Sequence, residues 1–122
     1  MDLTLNTHTV QDVVVVDVSG RLTVGDPELV STVRRLMDEG QRKFVLNLRD
    51  VSYVDSCGLG QLATTYTSVR NREGQVTILN PSERVRKLLD ITKLATLFDT
   101  FDAEDQAIRV LSATPHTSSS GS

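Results

Sequence analysis

The segment FVLNLRDVSYVDSCGLGQL, residues 44–62, joins an apolar strand to a helix through a tight turn. Residues 44–54 read as the strand and residues 55–60, DSCGLG, as the turn. After the turn, apolar residues recur at spacings of three and four, which is typical of one face of a helix, and we expect this helix to end at Gly74. Ligands and partners of α/β sheets meet the carboxyl ends of the strands. The segment therefore predicts a functional site at the turn.

Ser56 is predicted to lie at or beside the start of this helix. The backbone N–H groups of a first helical turn lack partners within the helix, and the helix dipole has its positive end there, so a phosphate on a serine is favourable at this position. A purely structural interpretation stays open, in which Asp55 or Ser56 only caps the helix and Gly58 and Gly60 only permit the tight turn.

The stretch VSYVDSCGLGQL, residues 51–62, resembles the signature of STAS domains of the bacterial anti-sigma-factor antagonist family. In that family the serine directly after the aspartate is the phosphoacceptor, and here it is Ser56. The resemblance implies a partner-binding surface that combines the turn and helix start with the loop after the second strand. Its residues are Asp55, Ser56, Cys57, Gly58, Leu59, Gly60, Gln61, Arg21 and Thr23.

The resemblance also implies partners. In the family, the unphosphorylated domain binds an anti-sigma factor that is also a serine kinase of the histidine-kinase-like ATPase fold, and so frees a sigma factor. Phosphorylation of the turn serine reverses the binding, and a PP2C-type phosphatase restores it. Typical antagonists carry acidic residues after the second strand in a GELD-like pattern that helps to engage the kinase, whereas this chain reads GRLT, with Arg21 and Thr23 at the corresponding places.

Length and composition narrow the function classes. The 122 residues predict one domain, a STAS domain over residues 1–111, with a polar tail over residues 112–122. An aromatic content of 4% and a net charge of -3 argue against nucleic-acid binding. Cys57 is the single cysteine, and the chain opens with no secretory leader pattern, so we expect a cytoplasmic protein. We also expect no membrane span, because no apolar run approaches the necessary length.

The first part of the chain predicts a hairpin followed by a helix. Two strands meet at the pair Gln11–Asp12, and Gly20 closes the second strand. Residues 21–25 then form a loop that leads into Asp26–Pro27, an acidic cap followed by a proline, which is a strong helix start.

The last part predicts alternating strands and helices. Asn80 and Glu83 have the spacing of a capping box for a third helix, residues 97–101 read as a last short strand, and residues 102–111 as the closing helix. The order β β α β α β α β α predicts an α/β fold with a single mixed sheet of about five strands and about four helices. The STAS fold has this order. We expect the later strands to be parallel and the helices to pack on one face.

Other chemistries find little support in the sequence. VDSCG lacks the GxSxG elbow of serine hydrolases, and His8 and His116 lie in a strand and the tail, so we predict that the chain is not an enzyme. Cys57 reads as a small packing residue. No metal-ligand cluster or cofactor motif stands out. Two alternatives stay open: a STAS docking or scaffold subunit, stressosome-like or accessory to a transporter, without a phosphorylation cycle, and a weak nucleotide-binding protein that uses the turn as a phosphate cradle.

Overall fold

A five-stranded sheet carries four helices in the computed structural model, which describes residues 3–23 and 28–113. The strands are β1 Leu3–Val10, β2 Val13–Leu22, β3 Lys43–Val54, β4 Gln75–Leu79 and β5 Thr100–Phe101. The helices are α1 Glu28–Asp38, α2 Ser56–Asn71, α3 Glu83–Ile91 and α4 Glu104–Ala113, with a short 3-10 helix at Leu94–Thr96. The predicted α/β fold, with its mixed sheet and order of elements, is confirmed.

The strands lie in chain order, β1-β2-β3-β4-β5. β1 pairs antiparallel with β2 across the predicted turn at Gln11 and Asp12, where Val10 faces Val13, and the other three strand pairs are parallel. Parallel strands need crossover connections, and the helices between β2, β3 and β4 supply them. The carboxyl ends of these central strands therefore meet at one edge of the sheet.

The helices cover both faces of the sheet. Val14, Val16 and Val18 of β2 join a core with residues of α1, α2 and α3, whereas Val13 and Val15 belong to a second cluster with residues of α4. The expectation that all helices pack on one face is thus wrong for α4. The central strands are apolar on both faces, so the second face also needs a cover.

β2 is longer than predicted. Its pairing with β3 continues past Gly20, where Arg21 pairs with Tyr53 and Leu22 with Val54 after a register shift. Gly20 has a φ of 98° and marks an irregularity within the strand rather than its end. Arg21 therefore lies within β2, near its carboxyl end, and not in a loop.

One predicted helix start differs from the structure. The N-cap of α3 is Ser82, whose Oγ accepts a hydrogen bond from the N–H of Val85 at 3.3 Å. Asn80 instead adopts a left-handed φ of 51°, so the proposed capping box with Glu83 is wrong. The predicted start of the first helix at Asp26–Pro27 lies outside the described residues.

Helix ends were predicted to within a few residues. α2 ends at Asn71, and Gly74 closes the turn that follows by donating its N–H to the carbonyl of Val69 at 2.9 Å. α4 runs to Ala113, so its last two residues were assigned to the tail, and the rest of that tail lies outside the described residues. Over residues 3–23 and 28–113, no helix is both long enough and apolar enough to cross a membrane.

Candidate functional site

Asp55 fixes the start of α2. Its backbone is extended, with φ −104° and ψ −173°, and its side-chain oxygen Oδ1 accepts a hydrogen bond from the N–H of Gly58 at 2.9 Å. The N–H of Leu59 donates to the carbonyl of Asp55 at 2.9 Å, and the N–H of Asp55 donates to the carbonyl of Leu22 at 3.3 Å. Asp55 is therefore the N-cap, and it ties the turn to the end of β2.

Ser56 is the first residue of α2, and its side chain is exposed. Within the described part of the chain its hydroxyl has no hydrogen-bond partner. Cys57 is also exposed, and the prediction that it packs against the core is wrong. The next two residues, Gly58 and Leu59, take the buried positions of this first turn.

Gly58 allows β2 and α2 to approach closely. A Cβ atom at Gly58 would lie 2.0 Å from the carbonyl oxygen of Leu22, which is far inside van der Waals contact. At Gly60, by contrast, no described heavy atom lies within 4 Å of the same position, apart from the chain neighbours and the helix's own backbone. Gly58 is therefore required by packing, whereas no contact explains Gly60.

The end of β2 and the start of α2 form one continuous surface. The amide Nε2 of Gln61 donates to the carbonyl of Thr23 at 2.9 Å, which joins the helix to the chain that follows β2. The guanidinium of Arg21 lies 5.1 Å from the ring centroid of Tyr53, a cation–π contact with a ring that is 39% exposed. We call the surface formed by Arg21, Tyr53 and the exposed residues of the turn the switch surface.

Tyr53 was missed as a site residue. The sequence pattern predicts only a continuation of the strand at Tyr53, yet Ser52 and Tyr53 are both exposed between the buried Val51 and Val54. The sequence does contain a signal for Tyr53, because an aromatic residue two positions before the turn is unusual in a chain with so few aromatic residues. The other predicted residues lie at or just after the carboxyl ends of β2 and β3, although Arg21 lies within β2 and not in the predicted loop.

The electrostatics of the turn disfavour a free phosphate ligand. A helix start attracts an anion through its unpaired N–H groups and its dipole. Here the carboxylate of Asp55 already accepts a hydrogen bond from one of these groups, the N–H of Gly58. It also places a negative charge beside the remaining N–H groups of the first turn. Within residues 3–23 and 28–113, no three His, Cys, Asp or Glu side chains group closely enough to hold a metal ion.

Comparison with known proteins extends over most of the chain. The sequence model of the STAS domain family matches residues 4–107. An anti-sigma-B factor antagonist of Staphylococcus epidermidis is 38% identical over 98 residues, which make up 80% of this chain and 91% of the relative.

Two solved structures share the fold. An anti-sigma factor antagonist from Mycobacterium paratuberculosis has a TM-score of 0.80 at 23% identity, covering 90% of this chain and 94% of the other. The phosphorylated form of SpoIIAA, a Bacillus cell fate determinant, has a TM-score of 0.69 at 22% identity, covering 87% of this chain and 97% of the other. The region that the family model matches, residues 4–107, runs from β1 into α4 and includes the residues of the switch surface.

Proposed function

The chain belongs to the STAS domain family, and we propose that it is an anti-sigma-factor antagonist whose partner binding is controlled by phosphorylation of Ser56. The observation that carries this proposal is the exposed hydroxyl of Ser56, without a partner among the described residues, at the first position of α2. The name of the staphylococcal relative, anti-sigma-B factor antagonist, supports the same function.

The proposed partners are those of the family's partner-switching systems. In its unphosphorylated form the protein binds an anti-sigma factor that is also a serine kinase of the histidine-kinase-like ATPase fold, and this binding releases a sigma factor. The kinase phosphorylates Ser56, and a PP2C-type phosphatase reverses the modification. The protein itself acts in the cytoplasm as a binding module and catalyses no reaction.

The phosphate changes the surface and leaves the fold intact. It adds about −1.5 to −2 charges at neutral pH. The added charge is adjacent in sequence to the carboxylate of Asp55 but lies on an exposed residue, and the positive end of the α2 dipole offsets part of the repulsion. In a complex, the same group would be buried without a counter-charge, which is costly. The energetic penalty therefore falls on the interface.

Arg21 and Tyr53 give the interface a positive, aromatic contact. Arginine and tyrosine are the residue types that most often dominate binding energy in interfaces. Arg21 stands where family members carry an acidic residue, so we infer that the partner presents a carboxylate or a carbonyl oxygen opposite Arg21. An Arg21→Glu variant should then bind the partner less tightly than the unmodified chain.

The test begins with mass spectrometry of the protein recovered from its own cells, which should detect a phosphate on Ser56. The Ser56→Ala variant then serves as bait for the partner, and the affinity of each variant for the captured kinase is measured by calorimetry. Ser56→Ala should retain binding, and Ser56→Asp should weaken it by about tenfold or more, because a desolvated charge without a counter-charge costs more than about 1.4 kcal/mol.

Thr67→Asp is the matched control. Thr67 is also exposed on α2, about three helical turns from Ser56, so this variant adds the same charge to the same helix outside the switch surface. It should bind like the unmodified chain. Equal affinities for Ser56→Ala and Ser56→Asp would exclude the switch, and the constitutive docking or scaffold function would then explain the exposed turn better.

A further inference from the structure

The first strand, β1, forms one edge of the sheet. On one side it pairs with β2 without a register shift, from Leu3 opposite Gly20 to Val10 opposite Val13. On its other side, no strand pairs with it among the described residues. An edge strand of this kind presents backbone N–H and C=O groups to any extended chain that meets it. β1 is therefore a candidate surface for strand pairing.

The geometry of the hairpin decides which backbone groups of β1 point outward. The two-residue turn at Gln11 and Asp12 makes Val10 and Val13 a hydrogen-bonded pair. In an antiparallel ladder, such pairs alternate with pairs that share no hydrogen bond. The even-numbered residues of β1 therefore direct their backbone groups toward β2. The backbone groups that point to the open edge belong to Leu3, Leu5, Thr7 and Thr9.

β1 lacks the features by which sheet edges avoid pairing. Proteins protect an edge with charged side chains, proline, a bulge or a very short strand. The eight residues of β1 include no proline and no Lys, Arg, Asp or Glu, although 24% of the chain is charged. The opposite edge strand, β5, has only two residues and lies between Asp99 and Asp102. Of the two edges of the described sheet, β1 is thus the unprotected one.

We propose that β1 pairs with β1 of a second copy of this chain, antiparallel and across a two-fold axis at Asn6. In this register Leu3 faces Thr9, and Leu5 faces Thr7, of the second copy. All outward-pointing groups are then used, which gives about eight backbone hydrogen bonds. A shift by one residue is excluded, because it would set side chains from opposite faces of the sheet against each other. The two sheets thereby join into one.

The side chains of β1 suit this arrangement. Leu5 packs against the core on one face of the sheet, and Asn6 is exposed on the other face. At the axis, each Asn6 carboxamide has both a donor and an acceptor for the other. Thr4 faces His8 of the second copy, and Nε2 of His8 lies 3.1 Å from Oε2 of Glu104 in its own chain. No like charges stand opposite each other. The strand is complementary to itself, which identifies a second copy as its partner.

This inference goes beyond the antagonist function and is independent of it. β2 lies between β1 and β3, and the turn with Ser56 follows the end of β3. The Ser56→Asp variant should therefore dimerise like the unmodified chain, whether or not it loses affinity for the kinase. Failure of the dimer would leave the proposed switch untouched.

Disulfide trapping in the full chain tests the register. Cys57→Ser serves as the background, so that only the introduced thiols react. In Asn6→Cys the two new thiols meet at the axis, with Cα atoms about 4.5 Å apart, a distance that a disulfide bridges. Oxidised glutathione accepts the two electrons of the thiol pair and is reduced. Most of this variant should then run as a covalent dimer in non-reducing electrophoresis.

Thr4→Cys in the same background is the matched control. Thr4 is exposed on the same face of β1, but its Cα atoms would lie about 14 Å apart across the dimer. This variant should cross-link at least about tenfold more slowly, because a disulfide does not span that distance. Equal rates for the two variants would indicate random collision and overturn the proposal, as would the absence of cross-linking in Asn6→Cys.

Sedimentation equilibrium tests the dimer without a cross-link. The unmodified chain should dimerise reversibly in the micromolar range. Thr7→Pro removes one outward N–H from each copy and should weaken dimerisation by about tenfold or more, whereas Thr7→Val keeps this N–H and should dimerise as before. Circular dichroism checks that both variants are folded, since the N–H of Thr7 is not used in pairing with β2.

Two results of the sedimentation measurement would overturn the proposal. One is an unmodified chain that stays monomeric at high micromolar concentration, since the edge would then serve another partner or none. The other is a folded Thr7→Pro variant that dimerises as tightly as the unmodified chain, since the contact would then lie elsewhere. If Thr7→Pro does not fold, the comparison of Asn6→Cys with Thr4→Cys still decides.

Discussion

Charged groups have different surroundings at the two ends of the parallel strands. At the carboxyl end, the side chains of Ser56 and Cys57 are exposed, and backbone contacts together with the side chain of Asp55 hold the turn in place. At the amino end, Lys43 is 5% exposed and its Nζ lies 2.8 Å from Oδ2 of Asp12. Ser112 of α4 also donates to Asp12, at 3.3 Å. We therefore expect that an added charge at the carboxyl end changes the stability of the fold little. At the amino end, by contrast, the ion pair of Lys43 and Asp12 contributes to that stability.

The largest effect is expected for the backbone contact that holds the turn. Gly58→Ala places a methyl group 2.0 Å from the carbonyl oxygen of Leu22, and a backbone atom cannot move aside as a side chain can. We expect a loss of about 3 kcal/mol in the free energy of unfolding, measured by urea denaturation.

Gly60→Ala is the control for this substitution, because it lies in the same helical turn with no atom within 4 Å of the new methyl group. It should raise the free energy of unfolding by about 0.5–1 kcal/mol, since alanine favours the helix over glycine. Similar losses for the two variants would mean that the approach of β2 to α2 does not depend on Gly58.

The next effect is expected at the amino end. The hydrogen bond from Lys43 is the main reason why the pKa of Asp12 lies below its ordinary value. Asp12→Asn should lower the free energy of unfolding at neutral pH by about 1–2 kcal/mol. This loss is smaller than that for breaking a fully buried ion pair, because Asp12 itself is half exposed.

The pH dependence of this loss identifies its cause. Because the pKa of Asp12 is lower in the folded chain than in the unfolded chain, the pair stabilises fully above about pH 4 and the stabilisation is lost as the pH falls through the folded pKa. The difference between the unmodified chain and Asp12→Asn should therefore shrink in acid. A difference that stays constant down to pH ~2 would assign the loss to packing rather than charge.

A smaller effect is expected for the helix cap. Asp55→Ala removes the acceptor of the Gly58 N–H and should cost about 1 kcal/mol in thermal unfolding followed by circular dichroism. Asp55→Asn keeps an acceptor at the same position and should remain within a few tenths of a kcal/mol of the unmodified chain. If both variants lose equal stability, the charge of Asp55 and not its cap stabilises the turn, which would weaken the contrast between the two ends.

The smallest effect on stability is expected for Ser56→Asp. The new carboxylate is exposed at the start of α2, where the helix dipole favours it and Asp55 opposes it, so the free energy of unfolding should change by less than about 0.5 kcal/mol. The same chemical-denaturation measurement serves for this variant. A loss as large as that of Asp12→Asn would show that charge at the carboxyl end is also part of the fold, and the comparison would fail.

Most of the fold could be predicted from local patterns. The strand and helix periodicities, the hairpin at Gln11–Asp12 and the order of elements needed only neighbouring residues. The spacing of Asn80 and Glu83 matches the capping-box motif, but Asn80 has a left-handed φ of 51° and Ser82, two residues later, caps α3. Such a choice depends on where the helix must pack and not on the motif alone.

The candidate site was predicted in part. The turn and Ser56 stand out in sequence because a strand, an aspartate–serine pair and closely spaced glycines follow one another. The contact of Arg21 with Tyr53 could not be predicted, because it depends on the register of β2 against β3 after the shift at Gly20. Register is set by the packing of both faces, which a single sequence does not reveal.

By itself, the sequence determined the alternation of elements and the identity of the turn, since both depend on residues within a few positions of one another. Only the tertiary structure decided that α4 covers the second face, that Gly58 must lack a side chain and that β1 lies at the edge of the sheet. Each of these depends on atoms that are distant in sequence and close in space, and their distances follow from how the whole sheet and its helices pack.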